Sequence, residues 1–344
     1  MASNASGNAP PLRASHEDPD PKGDTVLTVI PPKKTGTYTP KVLISMQDES
    51  ILGTPASPQS RSPEVKASPD DLLRLDPAVR RFRVSSRHLI LASGYFEQRL
   101  KGYWSEETDL KITGADPNSV GILLNIMHGR TRSVPRRVNL DQLTDLAVLV
   151  DYFQCLETVQ AFGDWWMEAL KPSIQNEYYL QTARWIYVSW VFRNDEIFNT
   201  VTRIAQRKGK GDMITFGIPI PPSIKSCIDR QRRLAFERVL SALQDRQKHL
   251  EDSDGCFNCS SAFLGALIKQ MKSRGLYPAP NTSFGGYAFD ETLDVISEFV
   301  APTHLFNHCT VFDSGMLPSK TRDEIKYAEN YVLGLRLKDF LDES

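Results

Sequence analysis

Cys256-Phe257-Asn258-Cys259 is the spacing in this chain best suited to inorganic chemistry. Two thiolates three positions apart can reach one tetrahedral zinc from a tight turn, and a closed structural site needs two further ligands. His304, His308 and Cys309 follow about 50 residues downstream. Cys256, Cys259, His308 and Cys309 would complete such a site. His308 and Cys309 are adjacent, however, so both could face one metal only across a sharp turn. Two other readings of the pair stay open: two buried free thiols, or a redox or disulfide couple. A thioredoxin-like role fits poorly, because no βαβ pattern surrounds the pair.

Organic catalysis has less to stand on. The chain contains no H-E-x-x-H, no G-x-S-x-G, no P-loop and no dinucleotide fingerprint. Residues 207–212 (RKGKGD) mix glycine with basic residues, as phosphate cradles do. They lack the strand–loop–helix context and the full spacing, so a solvated turn is expected. His88 reads as a structural or surface histidine, and His128 as a helix cap near the negative end of a dipole. Trp165-Trp166 and the Trp185/Trp190 pair read as core, since no basic stripe interleaves them as base stacking would need. We therefore expect no enzyme, no catalytic residue and no organic cofactor. The densest basic patch is Arg130, Arg132, Arg136 and Arg137. It suits an acidic partner or plain solvation better than nucleic acid.

The elements that must carry these residues can be read from periodicity. Arg81, Phe82, Arg83 and Val84 alternate, as a half-buried strand does. Ser85 or Ser86 is placed to cap a helix through its hydroxyl. Leu89, Ala92, Tyr95 and Phe96 share one helical face, and Gly94 divides it into two short helices, one ending near Ala92 and one spanning 94–100. Residues 109–113 read as a strand. Asp116-Pro117 opens a helix with proline at its first position, and Val120, Leu123, Leu124 and Met127 give it one buried side. His128-Gly129 ends it. Two more helices follow, one carrying Leu143, Leu146, Ala147 and Val150, the other over 155–170.

Phe82, Leu89, Ser93 and Phe96 match the pattern F-x-x-H-[KR]-x-x-L-x-x-x-S-x-x-F. With residues 123–132 (LLNIMHGRTR), 146–156 (LAVLVDYFQCL) and the opening strand 24–30 (DTVLTVI), this half of the chain resembles the BTB/POZ domain, most closely its divergent fungal versions. Residues 256–265 and 335–340 are similar to the tail of the same fungal group, whose members often show a Cys pair followed by a His/Cys cluster. One departure matters. Ser85 and Ser86 stand where better-studied members have His and a basic residue, so the charged groove by which some animal members bind co-repressors is not carried over. The resemblance implies a small sheet with a helical cluster that self-associates or recruits partners, a cullin-type ubiquitin-ligase scaffold among them. Tyr95, Tyr103 and Trp104 are candidate anchors beside the four arginines.

Composition is compatible with this. The 344 residues suffice for two domains. The formal net charge of -1, from 41 basic and 42 acidic residues, gives no general attraction to nucleic acid or an anionic membrane. No apolar run approaches the ~18 residues needed to span a bilayer, and the first 20 residues lack the apolar core of a signal peptide. Five cysteines in a chain this long do not form a disulfide scaffold; cytoplasm or nucleus is the expected compartment. The expected organisation is a disordered tail over 1–22 and an α/β BTB/POZ-like module over 23–172, with a flexible proline-rich insertion near 50–72. A mostly α-helical region over 173–344 completes it. In that region, residues 178–204 form two helices meeting near Asn194-Asp195. A long helix over 223–251 shows its arginines and lysines to solvent and a narrow stripe of Ile228, Ala235, Val239 and Leu243 inward. Further helices are expected over 262–273, 291–299 and 321–341. The main alternative to an adaptor is a zinc-containing nuclear regulator.

Overall fold

The computed structural model describes residues 18–32, 43–46, 78–100, 108–253, 256–302 and 315–341. The proline-rich insertion near 50–72 and most of the N-terminal tail lie outside them. The chain divides into two compact units, Met1–Ala169 and Leu170–Ser344.

In the first unit a four-stranded sheet has the order β2-β4-β1-β3. The strands are β1 (Thr25–Ile30), β2 (Leu43–Met46), β3 (Arg80–Val84) and β4 (Thr108–Thr113). β1 runs antiparallel to β3 and parallel to β4, while β2 pairs antiparallel with the far edge of β4. As a central strand, β1 is buried on both faces, and Thr25 and Thr28 are enclosed along with Val26, Leu27 and Val29. Residues 18–22, expected within the disordered tail, are ordered against the sheet. Asp20 N–H donates to Arg83 O at 3.1 Å, and Asp18 Oδ1 accepts from Arg83 N–H at 3.1 Å, so residues 18–20 are already tied to β3.

The helices of this unit are, in chain order, α1 (Ser86–Ala92), α2 (Gly94–Leu100), α3 (Pro117–Met127), α4 (Leu140–Phe153) and α5 (Leu156–Leu170), with α3 against β1 and β3. α3 starts where Asp116 accepts from Ser119 N–H at 2.9 Å, with Pro117 in the first turn, and all but one of its residues are buried. Asn139 caps α4 through Gln142 N–H. Gln154, left-handed at φ 52°, turns the chain from α4 into α5. Phe82, Leu89, Ser93 and Phe96 are all buried. The Phe96 ring stacks on Phe153 at 4.9 Å, and the Ser93 hydroxyl donates to Phe153 O at 2.5 Å while accepting from Phe96 N–H.

The described residues of the second unit form helices and connecting loops, with no strand among them. Its helices are α6 (Leu180–Val191), α7 (Asp195–Lys208), α8 (Pro222–Glu251), α9 (Phe257–Ser273), α10 (Phe289–Ser297) and α11 (Ser319–Tyr327). α7 begins at Asn194, which accepts from Ile197 N–H, and places acids in its first turn and bases in its last, as the dipole favours. The 30 residues of α8 make a rod about 45 Å long. Phe236 on α8 stacks on Phe284 at 4.7 Å and meets Phe289 edge-on at 5.6 Å, at the centre of a core completed by Phe263, Leu267 and Met271.

Two expectations change here. The helix expected over 321–341 ends at Tyr327 and gives way to two 3-10 turns, Ala328–Tyr331 and Leu337–Phe340. The chain between them lies along α7, whose side chains take over the backbone bonds that a helix would have made. Gly334 N–H donates to Gln206, Leu335 N–H to Thr202 and Leu337 N–H to Asp195, each at 2.9 Å. Gly334 sits at φ 90°, and a Cβ there would lie 2.3 Å from Asn199 O, so only glycine fits. The arginines of α8 also do not all face solvent. Arg232 is 3 % exposed and lies over the Phe236 ring at 4.8 Å. It donates to the carbonyls of Gly209, Ser283, Phe284 and Tyr287. Burial lowers its pKa to about 10, against the pull of Asp229 and Asp212, so it stays charged at neutral pH.

Replacing Arg232 by Met keeps most of the length and removes every donor. Buried carbonyls left without a partner should then cost about 3 kcal/mol. Amide exchange over 283–287 should accelerate before the rest of the unit. A melting curve and exchange pattern equal to wild type would show that these carbonyls find other donors.

Candidate docking surface

Three elements meet at Ser85 and Ser86. Ser85 occupies the N-cap position of α1, yet its hydroxyl makes no capping bond. The first amides of the helix are satisfied from outside it. Asp24, just before β1, accepts Ser86 N–H at 2.7 Å and the Ser86 hydroxyl at 2.5 Å. His128, the C-cap of α3, accepts Ser85 N–H through Nε2 at 3.0 Å. Its Nδ1 lies 2.8 Å from Leu124 O, which requires the proton to sit on Nδ1. His128 thus does cap its helix, as expected, and also anchors the next. Gly23 allows the close approach, since a Cβ there would lie 2.1 Å from Val84 O.

Charge is tuned at both acceptors. Burial works to raise the Asp24 carboxyl, but the hydroxyl and amide of Ser86 outweigh it and hold the pKa below its ordinary 3.8. Burial pushes His128 below 6.5; His88 and Arg130 push the same way, against Leu124 O and Asp20. His88 is exposed and stacks on His128 at 4.9 Å.

The candidate anchors fall in different places. Tyr95 is half-buried, between Tyr152 at 5.2 Å, Phe96 at 5.5 Å and Phe153 at 5.7 Å. Burial and then a hydrogen bond with Tyr152 push its phenol up to about 12. It is a member of the aromatic cluster first. Tyr103 and Trp104 lie outside the described residues. Leu91, which periodicity did not single out, is 88 % exposed on α1 beside the exposed Arg87 and His88. Its sequence signal was weak: one apolar residue off the Leu89/Ala92 face.

Arg130, Arg132, Arg136 and Arg137 are all exposed. Their loop is held firmly. Arg130 N–H donates to Asn125 O at 2.8 Å and Ser133 N–H to Arg130 O at 2.9 Å. Val134 is buried, and Trp166 Nε1 donates to Pro135 O at 3.0 Å.

In the second unit, Cys256 caps the start of α9 and Cys259 is buried one turn in. His304, His308 and Cys309 lie outside the described residues, among which no cluster of three or more metal-ligating side chains occurs. Residues 207–212 are more tightly engaged than a solvated turn. Arg207 pairs with Asp290 at 2.6 Å and Glu329 at 3.1 Å, Lys208 with Asp290 at 3.2 Å, and Lys210 with Glu291 at 2.9 Å. Their charges are spent on α10 and the turn after α11. No helix among the described residues is long and apolar enough to cross a membrane.

Protonating His128 would put an N–H against the Ser85 N–H. Because its folded pKa is depressed, its contribution to stability is fully present above about 6.5 and is lost as pH falls from there through the folded value. Thermal melting should therefore fall in that window, and His128→Asn, which can still accept the bond, should flatten the profile. An identical pH profile for the variant would place the titration elsewhere. The Asp24 window opens lower, at 3.8.

Comparison with known proteins returned no matching family model, no matching curated protein and no matching solved structure.

Proposed function

We propose that the first unit is a BTB/POZ-like docking module and that the chain works by contact, as an oligomerising or adaptor protein. Its partners would be a second copy of itself or a recruited protein, a cullin-type ubiquitin-ligase scaffold among them. One observation carries this reading. The four residues that bear the resemblance, Phe82, Leu89, Ser93 and Phe96, come from a strand, two helices and the junction between them, and all four are buried. Ser93, small and polar, is retained there because it bridges α2 and the end of α4. A small sheet clasped by a helical cluster is the arrangement the resemblance implies. The Ser85-Ser86 departure supports a partner set different from that of co-repressor-binding members. In this chain both amides are occupied internally, by His128 and Asp24.

Fold alone does not settle function, so the test is association. Sedimentation of the full chain should show a concentration-dependent dimer, or the purified chain should retain a cullin scaffold. A chain that stays monomeric at high concentration and retains no scaffold would remove the adaptor reading. Ser93→Ala should lower stability by about 2 kcal/mol, the cost of unsatisfied buried groups at Phe153 O and Phe96 N–H. A neutral result would mean that the shared serine has no structural role here.

A further inference from the structure

We propose that the arginine loop 130–137 is a receptor for a carboxylate-rich segment of a partner protein; this rests on the docking-module reading and names the chemistry of one partner. Several described cations elsewhere are consumed at home. Arg207 and Lys208 are bound by Asp290 and Glu329, Lys225 by Asp229, Arg336 by Asp339, and Arg232 by four carbonyls. Arg132, Arg136 and Arg137 are set apart by clustering: they lie in one short loop, exposed and with no side-chain partner among the described residues. Guanidinium forks left open in this way match carboxylates in a bidentate geometry.

The loop is also pre-organised. A 3-10 turn, the buried Val134 and the Trp166–Pro135 bond hold its backbone, so docking orders side chains only. A segment of the chain itself lies at one end of it, held there through a backbone carbonyl. Asp18-Pro19-Asp20 runs past Arg130, whose guanidinium donates to Asp18 O, while Asp20 acts on the neighbouring His128. Arg132, Arg136 and Arg137 follow Arg130 in the same loop with no side-chain partner among the described residues.

Nucleic acid fits less well. The chain has a formal net charge of -1, and residues 130–137 contain no aromatic side chain for a base to stack on. An acidic peptide needs neither a long basic stripe nor a stacking platform.

The test uses the full chain and a fluorescein-labelled deca-glutamate peptide, read by anisotropy. Binding should be measurable at low salt and should weaken as salt rises. The triple variant Arg132→Gln/Arg136→Gln/Arg137→Gln should melt like wild type and lose about tenfold in affinity, the sum of three exposed charge contacts. The matching Arg→Lys triple keeps the charge and should stay within a few-fold of wild type. Equal peptide binding by the folded Gln variant overturns the proposal, as does a folded Lys variant no better than it. Tighter binding of a short DNA duplex than of the peptide would reassign the loop to nucleic acid. Sedimentation of the same Gln variant separates the two readings. Peptide binding lost with self-association intact confirms a separate acidic-segment site. Peptide binding by a wild-type chain that never self-associates or retains a scaffold sinks only the adaptor reading.

Discussion

Two backbone amides, those of Ser85 and Ser86, hold the first unit in register. A helix begins with N–H groups that its own turns cannot satisfy. Here the serine hydroxyls next to them do not solve the problem. Asp24 reaches in from the start of β1 and His128 from the end of α3. The same bonds that start α1 therefore fix it against the central strand and against the most buried helix.

From that junction the signature residues acquire their meaning. With α1 fixed, Leu89 enters the core, Ser93 meets Phe153 O, and the Phe96 ring stacks on Phe153. Charge and apolar contacts then divide between faces. Arg87, His88 and Leu91 are left outside, and the loop after α3 carries four arginines on a backbone that cannot relax away from solvent. The second unit solves a similar problem with a different group. Arg232, buried on α8, gathers four carbonyls of two irregular segments that have no ladder of their own. Burying a cation is costly, and donating to every available carbonyl offsets that cost.

Much of the local structure was readable from periodicity. The Gly94 break, the Asp116-Pro117 helix start and the His128-Gly129 stop all rest on interactions within a few residues, which a linear pattern reports. The misses share one cause. The helix expected over 321–341 has the right spacing of apolar residues, but Gln206, Thr202 and Asp195 on α7 bind its backbone in another form. Arg232 reads as surface on any hydropathy scale, because the carbonyls that justify its burial lie 23 to 55 residues away in the chain. Residues 207–212 read as a solvated turn because their acidic partners are as remote.

Residue types alone determined which segments are strands and helices, where most of them stop, and that positive charge gathers at 130–137. Those outcomes depend on spacing, turn chemistry and composition, all of which are local. Tertiary structure decided which charges are used up and which remain available. Arg207 and Arg232 are consumed, while Arg132, Arg136 and Arg137 stay open. It also decided that His128 must be neutral on the Nε2 side to receive an amide. A charge or a lone pair is spent only when a distant group is brought within hydrogen-bonding reach, and that distance is set by the fold.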